Sequence, residues 1–237
     1  AHEFFHIITP LNVHSEIIER FNFETPVPSA HLWLYEGVTE WASDKMQQEA
    51  GLMSLEAYLA EMVDKARTDL TRFDTTYSLA DLARTSFTAE GAKQYGNIYQ
   101  RGGLVAALLD IRLLQLSGGR SGLRDLMRDL ARDYGQKRPF PEDSLFAIIA
   151  RRTSPEILDF FARHVNGAGR LPLREYYGAL GFDLVEDEQG LPLRLVPSPG
   201  ATPEQLRLRE AWLRSGTAAE APARAAAATV SRLRPAA

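Results

Sequence analysis

The segment HEFFH, running from His2 to His6, constrains this chain more than any other five residues in it. On an α-helix, residues four apart share a face, so the two imidazoles can reach one ion with Glu3 beside them. A zinc site that activates water needs this set: protein ligands that leave a coordination position open, and a carboxylate that accepts a proton. His2 and His6 are therefore candidate metal ligands, Zn2+ is the expected cofactor, and Glu3 is the candidate general base.

The third ligand decides the class of site. The extended form of the motif with a third histidine requires glycine where this chain has Thr9 and histidine where it has Asn12, so that form is excluded. The other common arrangement takes a glutamate from a later helix, and LWLYEGVTEW places Glu36 at the start of one. Without HEFFH, Glu36 would read as a solvated carboxylate favouring a helix N-terminus. With HEFFH nearby, it is the candidate third metal ligand. Glu40 lies one turn further on and fits two roles equally well, an acceptor that orients a ligating imidazole and an exposed salt-bridge partner.

The rest of the chain reads as mainly helical. Residues Ala1 to Ile8 are expected to be the tail of a helix that stops before Pro10, followed by a long connection from Thr9 to Ala30. Helical patterning covers about Leu32 to Ala50, Ser54 to Phe73, Asn97 to Leu116, Gly122 to Tyr134, Pro141 to Arg151 and Pro155 to Val165, with glycine and proline marking the boundaries. Phe182 to Val185 and Leu191 to Val196 read as a small β-hairpin, and Thr202 to Arg214 as a last helix. The Ala-, Arg- and Pro-rich stretch from Gly216 to Ala237 is too poor in large apolar residues to order itself and is expected to be a disordered tail. The expected organisation is a catalytic helical subdomain over 1–175, truncated at its N-terminus, then the hairpin and helix over 176–215 and the tail over 216–237.

Composition excludes several partners. With 237 residues and 45% hydrophobic content the chain can bury a proper core, and a net charge of −4 supplies no basic field for nucleic acid or an anionic membrane. The longest apolar run, Leu104 to Leu116, is interrupted by Asp110 and Arg112 and is too short to span a bilayer, so it is expected to be a buried helix. The absence of cysteine rules out disulfides and thiolate chemistry. The chain starts at Ala1 with its first motif at the second residue, which reads as a piece of a longer protein whose targeting signals lie upstream. Localisation and oligomeric state are not set by any motif.

Three segments in this order, HEFFHIITPLN, HLWLYEGVTEW and YGNIYQRGGLVAALLDIRL, resemble the catalytic core of the glycyl aminopeptidases, family sixty-one of the metallopeptidases and gluzincin in type. The resemblance covers roughly residues 1 to 175. It implies a zinc-dependent hydrolase on the helical half of a thermolysin-like fold, with His2, His6 and Glu36 as metal ligands and Glu3 as base. It also puts Tyr99 where related aminopeptidases keep a tyrosine that stabilises the oxyanion. A phenol suits that role because it stays protonated at neutral pH and donates a hydrogen bond to developing negative charge, although Tyr99 also fits a core aromatic, and Tyr95 is its competitor one turn earlier. His14 and His164 are expected at the surface, and His31 is a weaker candidate for the cleft.

The chain departs from that family in having neither the upstream β-rich domain nor the strand and acidic residues that hold the substrate's amino terminus. A preference for aminopeptidase over endopeptidase action is therefore implied by the resemblance alone, and the segment is expected to be a poor enzyme by itself. The expected function is zinc-dependent peptide hydrolysis with a peptide as substrate. The alternatives are a noncatalytic peptide-binding or scaffold protein derived from a peptidase, against which the intact Glu3 argues, and a zinc hydrolase acting on another amide or an epoxide.

Overall fold

The apolar run from Leu104 to Leu116 settles the arrangement of the rest, because a helix that is apolar over most of its circumference must be covered over most of it. The computed structural model describes residues 1–135 and 137–214. In chain order it contains α1 (His2–Phe5), α2 (Glu16–Glu19), a wide π-helical turn (Trp33–Gly37), α3 (Val38–Glu49), α4 (Leu55–Arg72), α5 (Leu79–Arg84), α6 (Ala89–Gln94) and α7 (Asn97–Ser117). There follow α8 (Leu123–Asp133), a 3-10 turn (Glu142–Ser144), α9 (Leu145–Arg152), α10 (Ile157–His164), α11 (Leu173–Ala179), β1 (Phe182–Glu186), β2 (Pro192–Pro197) and α12 (Pro203–Arg214). Among the described residues the fold is mainly helical with one small antiparallel hairpin, as expected.

The central element is α7, buried without a break from Arg101 to Ile111. It packs against the π-helical turn and α3, α4, α5, α8, α10, α11 and α12. Gly118 ends it in the left-handed conformation at φ +63, where the Gly118 and Gly119 amides donate to the Gln115 and Leu114 carbonyls. Asp110 in its middle is fully buried and accepts the Leu123 amide at 2.7 Å, which ties the start of α8 to α7. Burial raises its carboxyl pKa to about 6, against the opposing effect of that hydrogen bond.

Two devices fix α7 to the elements that carry the candidate site. The first is a buried ion pair: Arg101 donates to Asp69 of α4 at 2.9 Å and to the Gly169 carbonyl at 2.7 Å, while Asn97 donates to the other Asp69 oxygen at 2.8 Å. The second is a direct backbone contact, in which a Cβ on Gly37 would lie 2.6 Å from the Gly102 carbonyl carbon. Two glycines thus let the π-helical turn and α7 approach more closely than any side chains allow.

The hairpin and α12 close the far side of the same core. Arg67 of α4 donates to Asp187 and to the Pro192 carbonyl at the turn end of the hairpin. Trp212 of α12 is buried under the Lys45 ammonium, which lies 4.4 Å from its ring and donates to its carbonyl at 3.1 Å. Phe182, Leu184, Leu195 and Trp212 belong to the same buried cluster as the helices.

The structure corrects four expectations. The first helix is only His2–Phe5, and hydrogen-bonded turns carry the chain through Pro10. The segment from Leu32 to Ala50 is not one continuous α-helix, because its first turn is widened into the π form beside Gly102. The connection from Thr9 to Ala30 contains the short α2, and Ser15 in it pairs with Phe140. Helices α5, α6 and α11 were not anticipated; α5 begins with a reciprocal Ser78 and Asp81 capping box. The expected tail over 216–237 lies outside the described residues.

The glycine contact generates a stability expectation. Gly37→Ala should force the π-helical turn and α7 apart and destabilise the protein by about 1–3 kcal/mol, read as a lower urea midpoint. An unchanged midpoint would show that the two elements separate freely.

Candidate metal centre

Four residues of α1 are enough to set two imidazoles side by side, with ring centroids 4.9 Å apart and edge-on. Each ring is then held from behind. Glu40 of α3 accepts the His2 Nδ1–H at 2.8 Å, and the Thr9 carbonyl accepts the His6 Nδ1–H at 3.1 Å. Both partners are acceptors only, so a neutral imidazole in either place carries its proton on Nδ1 and turns an unprotonated Nε2 inward.

Both inward nitrogens face Glu36. Its Oε2 is 3.3 Å from His2 Nε2 and 3.6 Å from His6 Nε2. The wide turn brings this carboxylate to the histidines, and Thr39 steadies it by donating to the Tyr35 carbonyl at 2.7 Å. One atom from each of His2, His6 and Glu36 lies within 4.8 Å of the others. Two imidazoles and one carboxylate brought this close together are a donor set suited to zinc. The residues present therefore fit a zinc ion.

Glu3 projects from α1 with its side chain 92% exposed, and its Oε2 is 4.0 Å from His6 Nε2. Tyr99 starts the third position of α7, half-buried, with its ring 5.6 Å from that of His2 and 6.1 Å from that of Tyr95. It is thus a neighbour of the histidine pair and not a core aromatic. Burial first, then the charge of Glu36 and the neighbouring Tyr95, push its hydroxyl pKa well up, so it is a hydrogen-bond donor at neutral pH. Tyr95 is shifted upward as well, by burial and then by Glu36.

Glu40 combines both roles that its sequence position suggested. One oxygen holds His2, and the other accepts from the buried Lys65 of α4 at 2.6 Å. Burial alone would raise its carboxyl pKa, but Lys65 and then His2 hold it below the usual value. Asp44 and Glu61 also face the Lys65 ammonium, at 3.4 and 2.9 Å. Sequence reasoning missed Lys65. Its signal was a charge on the buried stripe of α4, in helical spacing with Tyr58, Met62 and Asp69.

The other histidines are placed differently from expectation. His14 is buried, bonded to the Pro10 carbonyl at 2.8 Å and to Glu19 at 2.7 Å, and so pins the connection after α1. His31 is buried against Phe140 and Phe146 and donates to the Glu142 carbonyl at 2.7 Å, so it does not line a cleft. His164 is buried too, packed on Phe160 and Tyr176.

Residues 1–105 match the family model of the M61 glycyl aminopeptidases. Every residue of the centre, from His2 to Tyr99 and including Lys65, falls within that matched segment. In fold, the chain is similar to the crystal structure of an aminopeptidase N family protein from Idiomarina loihiensis, with a TM-score of 0.70 at 20% identity. The likeness covers 86% of this chain and 36% of that one, so this chain spans about a third of its length. No curated protein matches the sequence. Among the described residues, no helix is long and apolar enough to cross a membrane.

His164 carries a pH expectation. Burial first, then the nearby Arg163 and Arg101 charges, lower its pKa from 6.5 to about 4, against the opposing charge of Asp159. Its folded pKa is depressed, so the unfolded chain binds more protons between those values, and the stability it contributes above pH 6.5 is lost as pH falls towards 4. Replacing it in His164→Phe should flatten the fall of Tm over that window relative to the parent protein. Asp44 and Asp110, raised to about 6, titrate in both proteins and cancel in the difference. Parallel Tm curves would remove His164 as the source.

Proposed function

We propose that the chain carries the zinc centre of a peptidase, with His2, His6 and Glu36 as ligands, and that the protein acts as an aminopeptidase on peptide substrates. The observation that carries this reading is the inward convergence of two imidazole Nε2 atoms and one carboxylate, with each imidazole tied from behind at Nδ1. The match to the M61 model and the aminopeptidase-like fold support the reaction class. Zinc, when held by three protein ligands, supplies a Lewis acid that polarises a carbonyl and makes water a nucleophile near neutral pH.

The chain's own residues divide the remaining work. Glu3, exposed beside His6, accepts the water proton on its carboxylate and passes it to the leaving amine. Tyr99, kept protonated by its surroundings, donates its hydroxyl hydrogen to the negative charge that develops on the carbonyl oxygen. Glu40 keeps His2 in the orientation that presents Nε2. Residues 1–175 then form the catalytic helical unit, and the described residues from 176 to 214 pack on its α4 and α7. The exposure of Glu3 suits a group that meets water and substrate directly.

Elemental analysis should find about one zinc per chain, reduced to background in His6→Ala. Glu3→Gln should keep the zinc and lose hydrolysis of short peptides and aminoacyl amides, because an amide cannot accept the proton. Zinc retained in His6→Ala would sink the ligand assignment. Zinc bound without any hydrolysis by the parent protein would favour a noncatalytic peptide binder.

The two tyrosines are separated by comparison. Tyr99→Phe should lower kcat by about a hundredfold with unchanged zinc content and folding, in line with loss of one oxyanion donor. Tyr95→Phe should have a much smaller effect. The reverse pattern would transfer the role to Tyr95 and leave Tyr99 as a packing residue.

A further inference from the structure

Lys65 is 2% exposed on α4, where an ammonium without counter-charges would be costly to bury. Three carboxylates surround it, and the shortest contact is with the one that also holds a histidine. The Lys65 ammonium lies 2.6 Å from Glu40 Oε1, while Glu40 Oε2 lies 2.8 Å from His2 Nδ1. One carboxylate therefore bridges α4 and α1, with each oxygen tied to a different element. Asp44 and Glu61 already supply enough negative charge for a structural ion pair, so the third and closest contact has a separate consequence.

The pair is also enclosed. A Cβ on Gly103 of α7 would lie 3.2 Å from Glu40 Cγ and 3.6 Å from Lys65 Cδ, so α7 packs its backbone directly over both side chains. A carboxylate held at both oxygens and packed along its stem has little freedom to rotate, and it favours one orientation of His2. Without the ammonium, Glu40 and Asp44, one turn apart on α3, would repel each other and the tether would open.

We infer that Lys65 is a positioning residue of the metal centre: it fixes Glu40, Glu40 fixes His2, and metal affinity depends on a charge that touches neither the ion nor the substrate. This rests on the metal reading of His2, His6 and Glu36 given above. Its test is zinc affinity measured by chelator competition on the 237-residue chain, with the Tm of the metal-free protein as a separate measure of folding.

Lys65→Met should weaken zinc binding by about 10- to 100-fold, the usual effect of losing a partner that orients a ligand. In a Glu40→Gln background the same change should have little further effect, because the tether it acts through is already altered. An unchanged zinc Kd with lowered Tm, or an equal factor in both backgrounds, would make Lys65 a packing residue only and overturn the inference. Should Lys65→Met fail to fold, Gly103→Ala presses on the Glu40 stem with the lysine intact. It should weaken zinc several-fold, and an unchanged Kd there overturns the inference as well. Zinc lost in His6→Ala but unaffected in Lys65→Met sinks this inference alone. A parent chain that binds no zinc, or a His6→Ala variant that binds it normally, removes the metal reading and the inference with it.

Discussion

The approach of Gly37 to Gly102 sets the separation between the turn that carries Glu36 and the helix that carries Tyr99. Glu36 stands immediately before the first glycine, and Tyr99 lies one turn before the second. If the two backbones moved apart, the Glu36 carboxylate and the Tyr99 phenol would separate from each other. The neighbouring Gly103 extends the same contact to Glu40 and Lys65. The run RGG at 101–103 therefore has three separate jobs: an ion pair to Asp69, a close backbone approach, and a cover over the carboxylate that holds His2.

Electrostatics divides the site into two zones. Inside, three groups that accept hydrogen bonds or coordinate a cation point at one another. Behind them lies a compensating shell of donors and charges: Lys65 behind Glu40, and Thr39 behind the wide turn. Such an arrangement gathers three electron-rich groups at one place and sets the Lys65 charge behind one of their supports.

Much of this was legible in the sequence, and the gaps have physical causes. The HEFFH spacing and the later Glu36 pointed to the convergence because helix periodicity is local. The long apolar run announced α7 for the same reason. The π-helical turn was not legible, since it depends on a glycine contact between segments far apart in the chain. Short helices such as α5 and α11 carry too few residues for periodicity to show, although the Ser78 and Asp81 cap was visible in outline. His14 and His164 were misplaced because a polar ring reads as a surface residue until its partners are known. Those partners are a proline carbonyl, a glutamate and two aromatic rings. Lys65 was overlooked because a single lysine on an amphipathic helix normally belongs to the solvated face.

The tie between Lys45 and Trp212 has a consequence for how the chain acquires its shape. Lys45 is completely enclosed, and its ammonium donates to a carbonyl 167 positions later in the sequence. As the polypeptide emerges during synthesis, α3 and α4 are complete long before the indole that covers that ammonium exists. Until α12 arrives, the lysine and the ring of Tyr58 beside it stay wet, and the far side of the core stays open. The contacts that cover Lys45 can thus form only after α12 has been made, well after the residues from His2 to Tyr99.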